Sequence, residues 1–192
     1  MAEPTTRFRL IPQTTAAAAL DTAAERLAAI SGEAVVSTGE GNEVDFGTVD
    51  ISGGAADSDV KTVLWDVTAD GGNTVVEDFK FWLSSNGFDQ VGSVMNFQPL
   101  SGADQVSPSD TENYIAEAGV EDYTWATAPE SEPETQNLFP SDEGSSMALD
   151  TASDDVLMWA MYLAIAAGET TGTYSGTVTD YELQMSLKYS YS

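Results

Sequence analysis

Any chemistry in this 192-residue chain would have to come from carboxylates. The sequence holds 32 Asp and Glu but no His and no Cys. That removes imidazole bases, thiol nucleophiles, disulfides and nearly every zinc site. Three acidic clusters are candidates for Ca²⁺: "DSD" at 57–59, "DGGN" at 70–73 and "SDD" at 153–155. None has the alternate ligand positions, the Gly and the distal Glu of an EF-hand loop. Their other reading is Asp-rich turns and caps, in which a carboxylate accepts a local backbone N–H. A pair of carboxylates could serve glycoside hydrolysis, but choosing two among 32 has no force. The serines of "SGADQVS" and "SPSD" have no His to activate them, and no G-x-S-x-G elbow is present. The glycines of "GEGNEVDFG" are too few and wrongly spaced for a phosphate loop. The sequence predicts no enzyme, no catalytic set and no cofactor.

Aromatic residues are the other possible site material. Trp65, Phe79, Phe81, Trp82, Trp125 and Trp159 could form a sugar-stacking platform, the basis of a carbohydrate-binding or adhesin reading. Most of them lie in apolar or alternating segments, which favours packing in a core or an interface. Trp82 differs. It falls on the polar face of its segment, beside Asp78 and Lys80, and is expected to meet a second layer or a neighbour.

Charge narrows the partners. The net charge is −26, and the positive side is only Arg7, Arg9, Arg26, Lys61, Lys80 and Lys188. Six cations so widely spaced build no basic patch, so nucleic-acid phosphates are excluded and an anionic membrane surface repels the chain. The acidity serves solubility or a docking face for a basic partner. Hydrophobic residues make up 42% of the chain, too many for a disordered acidic polymer. The longest apolar run, "VLMWAMYLAIAA" at 156–167, is shorter than the roughly 20 residues a spanning helix needs. The start, "MAEPTTRFRLIPQTT", has no basic stretch followed by an apolar one, so no signal peptide is expected and synthesis in a cytoplasm is.

The elements that must position these residues are mostly strands. Residues 1–14 read as an extended arm, Pro4 and Pro12 bracketing "TTRFRLI", with Arg7 and Arg9 expected to meet acidic surface on the next copy or on a capsid protein. "TTAAAALDTAAERLAAISG" at 14–32 predicts a helix with Leu20, Ala23, Leu27 and Ile30 on one face and Gly32 at its end. Strands are expected at "AVVST", "NEVDFGTVDIS" and "VKTVLWDVT", and "ADGGN" at 69–73 predicts a hairpin. "TVVEDFKFWLSS" sets Val75, Phe79, Phe81 and Leu83 on one face, with Asp78 and Lys80 on the other. "VGSVMNFQPL" is a strand stopped by Pro99, and "SPSDTENYIAEAG" a short helix. A Pro/acidic loop over 126–146 carries Asn137, Leu138 and Phe139, an apolar latch. The run 156–167 is a strand buried on both faces, with a buried helix as its alternative. The closing strand alternates without fault, Tyr181, Leu183, Met185, Leu187, Tyr189 and Tyr191 on the apolar side, and is expected to lie beside that run. The resulting fold is mainly β: an antiparallel β-sandwich or jelly-roll-like domain over 34–192, preceded at 1–33 by the arm and one helix.

Three segments, "GNTVVEDFKFWLSS", "SDDVLMWAMYLAIAAGETTGTYSGT" and "ELQMSLKYSYS", resemble small β-sandwich structural proteins of tailed-bacteriophage virions, a likeness spanning roughly residues 60–192. The resemblance implies a non-enzymatic virion part made in the host cytoplasm: a capsid decoration (cement) protein, or a tail or baseplate component. Its partners would be other copies in a homo-oligomer and a major capsid or tail protein. Arg7, Phe8, Arg9, Leu10, Trp82, Leu138 and Phe139 are the interface candidates, from the arm, the odd tryptophan and the latch.

Overall fold

Segments rich in β-branched and aromatic residues become strands in the computed structural model, which describes residues 2–10, 44–100, 125–139, 145–149, 156–172, 174–175 and 181–192. In chain order they are β1 (Thr5–Leu10), β2 (Ala56–Asp57), β3 (Lys61–Ala69), β4 (Val75–Asn86), β5 (Val94–Leu100), β6 (Ala126–Thr127), β7 (Ser146–Ala148), β8 (Val156–Ile165), β9 (Tyr174–Ser175) and β10 (Tyr181–Tyr191). Among the described residues there is no helix. The helices expected over 14–32 and 107–119, and the strand "AVVST", lie outside them.

Two sheets result. The first runs β1-β3-β8-β5-β6, with β2 also on β8; the second runs β7-β4-β10-β9. Pairing is antiparallel throughout except the two-residue contact of β9 with β10, which is parallel. β8 sits in the middle of the first sheet, and Leu157 to Leu163 are buried without a break. An alternating strand would show water on one face. The uninterrupted apolar run is therefore the signature of burial on both, as the sequence predicts.

The facing sides of the sheets share one core. Trp65 of β3 meets Phe79 of β4 edge-on with ring centres 4.7 Å apart, and Phe81 of β4 lies 5.1 Å from Phe97 of β5. Tyr189 of β10 stacks on Phe79 at 5.1 Å. Trp65, Phe79 and Phe81 are among the largest fully buried side chains, and a ring of this kind removes about 150–250 Å² from water.

Five expectations change at the level of backbone. The arm is not free: Thr5–Leu10 pairs with β3, Phe8 opposite Trp65 and Leu10 opposite Val63, and both pack on the core. Its Arg7 meets Asp66 of the same chain, Nε lying 2.8 and 2.9 Å from the two carboxylate oxygens. Asp66 is buried, and a buried carboxylate needs that cation and its hydrogen bonds. "ADGGN" turns, but it carries the chain from β3 in one sheet to β4 in the other, so it closes no hairpin. The described part of "NEVDFGTVDIS", 44–52, forms no strand, because Asp45 and Asp50 accept the N–H groups of Gly47 and Ser52 in local turns. β5 passes through Pro99 to Leu100; β6 reaches only Asn96 and Phe97, so Pro99 sits where β5 is an edge strand. β10 pairs with β4, in the sheet opposite β8.

The face assignment of β4 shifts as well. Asp78 has φ +58°, and Asp78 and Phe79 together oppose the single residue Tyr189, a bulge. The extra residue turns Val76 inward in place of Val75, while Phe79, Phe81 and Leu83 keep their side. A second extra residue, Ser84, falls between the pairs Met185–Leu83 and Gln184–Ser85.

Replacing Arg7 tests whether the N-terminal segment belongs to the fold. Arg7→Ala strands Asp66 as a buried carboxylate and should destabilise the chain by about 1–3 kcal/mol in denaturant melts. An unchanged melting curve would restore the free arm.

Candidate interaction surface

The Pro/acidic loop after β6 lies along the edge of β4 that β7 leaves open. β7 covers only Val75 to Glu77. Beyond it the Pro129 carbonyl accepts the Leu83 N–H at 2.8 Å, and Asn137 closes the gap between. The Asn137 Oδ1 accepts the Phe81 N–H at 2.7 Å, and its Nδ2 donates to the Phe81 carbonyl at 2.8 Å. Its backbone N–H donates to the Phe79 carbonyl at 3.0 Å. One side-chain amide thus replaces a missing strand. Leu138 follows, fully buried in the core, and Phe139 sets its ring 5.5 Å from Phe79.

The same loop reaches over the outer face of the second sheet. Lys80 and Lys188 are register partners on β4 and β10, a like-charge pair that would repel. Glu132 relieves it, with its Oε1 2.7 Å from Lys188 Nζ and 3.8 Å from Lys80 Nζ; Asp78 adds a contact to Lys80 at 3.5 Å. Asn86 Nδ2 donates to Glu130 at 2.7 Å, one strand-end further on. Trp82, partly buried and opposite Ser186, completes this face with Ser84 and Gln184, which hydrogen-bond each other at 3.3 Å.

The interface candidates do not converge. Arg7, Phe8, Arg9 and Leu10 lie on β1 at an edge of the first sheet; Trp82 lies on the outer face of the second. Leu138 and Phe139 are held by the chain's own core, which leaves Leu138 no surface for a neighbour. Of the other aromatics, Trp65, Phe79, Phe81 and Trp159 are core residues, and Trp125 stacks edge-on against Tyr162 at 4.7 Å. The acidic clusters act locally. Asp70 accepts the Gly72 N–H at 2.8 Å, and Asp59 lies 3.5 Å from Lys61; "SDD" is outside the described residues. Among the described residues no three acidic side chains converge as metal ligands would. The residues missed by sequence reasoning are Asn137 as an edge clamp and Glu132 as the bridge between two lysines. Only the register of β4 against β10 brings those lysines together. No protein-family model matches the chain, and no curated protein is significantly similar to it.

The Glu132 clamp has a pH signature. Hydrogen bonding from Lys188, then the charges of Lys188 and Lys80, hold the Glu132 carboxyl below its ordinary value; Glu132 in turn raises Lys188. The carboxylate contribution is present above the ordinary glutamate range and lost as pH falls through the depressed value. The ammonium contribution is present below the ordinary lysine range and lost as pH rises through the raised one. A carbon-detected NMR titration should find Glu132 titrating below the ordinary glutamate range, and Lys188→Ala should move it up. A Glu132 midpoint indifferent to Lys188→Ala would remove the clamp. Asn137→Ala, which leaves the Phe81 N–H and carbonyl without partners, should cost about 1–3 kcal/mol in a denaturant melt.

Proposed function

We propose that this chain is a non-enzymatic structural component of a tailed-phage virion, a capsid decoration (cement) protein built as a jelly-roll-like β-sandwich. The pinned loop is the observation that carries this reading. A Pro- and Glu-rich segment would ordinarily be mobile, yet Pro129, Glu130, Glu132, Asn137 and Leu138 tie it to β4, β10 and the core. A fixed acidic surface avoids the ordering cost that a loose loop would incur on docking. Its complement is a basic surface on a capsid or tail protein. The resemblance of residues 60–192 to virion β-sandwich proteins points the same way, and a tail or baseplate position would use the same surface.

A second reading, a carbohydrate-binding adhesin module, rests on Trp82. A partly exposed indole on the sheet face beside Lys80, Lys188 and Ser186 offers a ring on which a sugar could stack.

Imaging the parent particle tests the first reading, since ordered copies should appear at symmetry-related positions on its shell or tail. Purified chain should also rebind particles stripped of it, more weakly at 1 M salt than at 0.1 M, as the Debye length drops from about 10 to about 3 Å. Failure to rebind, with glycan-array binding that is lost in Trp82→Ala, would give the adhesin reading instead.

A further inference from the structure

Among the described residues the sheet edges are blunted everywhere except along β10. β1 begins after Pro4, has an irregular register at Thr5/Thr6 and carries Arg7 and Arg9. The edge of β5 beyond β6 carries Pro99, and β6 and β7 are only two and three residues long. The edge of β4 is closed by β7, Pro129 and Asn137. Pro, charges, bulges, short strands and covering loops are the usual devices against edge-to-edge pairing. β10 shows little of this. β4 holds one of its edges, and β9 holds the other only at Tyr181 and Glu182. Among the described residues nothing pairs with that second edge from Leu183 to Tyr191, and both extra residues of the β4–β10 ladder lie in β4, leaving β10 regular.

The core is unfinished at the same place. Leu183, Met185, Leu187 and Tyr189 pack on it but stay only partly buried, while Phe79, Phe81 and Leu83 on the adjacent β4 are fully buried. Tyr191 is 40% exposed. Residues 183–191 contain a single charge, Lys188, in a chain of net charge −26.

We propose that β10 pairs antiparallel with β10 of a second copy, the two-fold axis passing at Leu187. The pairing rests on the assembly reading above only in taking a like copy as partner. Reciprocal bonds between Ser192 and Val75 turn Ser192 toward β4. Alternation then directs the N–H and carbonyl groups of Leu183, Met185, Leu187, Tyr189 and Tyr191 to the open edge. With the axis at Leu187, all nine open positions are used and β9 is not displaced. Tyr191 meets Leu183, Tyr189 meets Met185 and Leu187 meets itself, continuing the apolar face. On the other face Lys188 meets Ser186 and Ser190 meets Gln184, so no carboxylate faces another. An acidic partner strand would find one cation here, already held by Glu132, and gains little from it.

Sedimentation and residue-resolved amide exchange across a protein concentration series test this. Association should grow stronger with salt, because it brings two anions together through a nearly uncharged strip. The amides of Leu183, Met185, Leu187, Tyr189 and Tyr191 should gain protection with concentration, while those of Gln184, Ser186 and Ser190 stay protected throughout by β4. S186K sets an ammonium against Lys188 of the second copy and should weaken association at least tenfold. S186K/K188E should recover it, with the melting curve reporting that each variant is folded. A dimer without the alternating protection would overturn this pairing and leave the assembly reading standing. A chain that stays monomeric at every concentration and salt level would overturn the pairing too, and stripped-particle rebinding then decides the assembly reading separately.

Discussion

The aromatic seam between the sheets is the contact on which the remaining structure depends. No Cys is available for a disulfide, so the sheets are held together chiefly by packing, with a contact between the Thr6 and Tyr189 hydroxyls at 3.4 Å beside it. Phe79 is at the centre: it touches Trp65 from the opposite sheet, Tyr189 from the neighbouring strand and Phe139 from the loop. The bulge at Asp78 sets it there. Without the extra residue, the strict alternation of β4 would turn Val75 inward and misalign the β4 side chains on one side of the bulge with the other sheet. Asp tolerates the left-handed backbone the bulge requires, which most other residues do not.

Charge is distributed around that seam with little redundancy. Cations are few, and those at Arg7, Lys61, Lys80 and Lys188 each meet a carboxylate. Of these four, Arg7 neutralises a carboxylate that burial would otherwise penalise; the carboxylates that meet the lysines stay open to water, where an ion pair adds little. Arg7 therefore belongs to stability, and Lys80 and Lys188 to the placing of a loop. Glu169 adds an internal example of the same economy. Its buried carboxylate accepts the N–H groups of Asp89 and Gln90 at 2.8 and 3.2 Å, fixing one turn against another.

Strand identity was legible wherever apolar residues alternate or run unbroken: β3, β4, β8 and β10 all stand where the sequence places them. The buried character of Trp65, Phe79 and Phe81 was legible for the same reason. Partnership was not. Which sheet receives β10, or whether a Gly-rich turn joins neighbours or crosses the core, depends on contacts far apart in sequence, and local residues carry no record of them. "TTRFRL" shows why: its alternation is visible, but its prolines suggest an arm until a buried Asp66 is known to need Arg7. The latch was partly legible. Leu138 and Phe139 announce themselves as apolar residues in a polar loop, whereas Asn137, which closes the strand edge, looks like any loop asparagine.

β4 and β10 divide the burdens of one ladder unequally, and the division has a physical consequence. Every irregularity falls on β4: two extra residues, a positive φ, an edge clamped by a side-chain amide instead of a strand. Bulges increase local twist and disrupt the hydrogen-bond row on the strand that bears them. Confined to β4, they aim Phe79 and Phe81 into the seam and consume an edge that the loop then covers. β10 is left with an undistorted backbone, a continuous apolar side and an almost uncharged polar side. The features that lock the interior and those that keep one strand regular at the periphery are thus the same features, seen from the two sides of a single ladder.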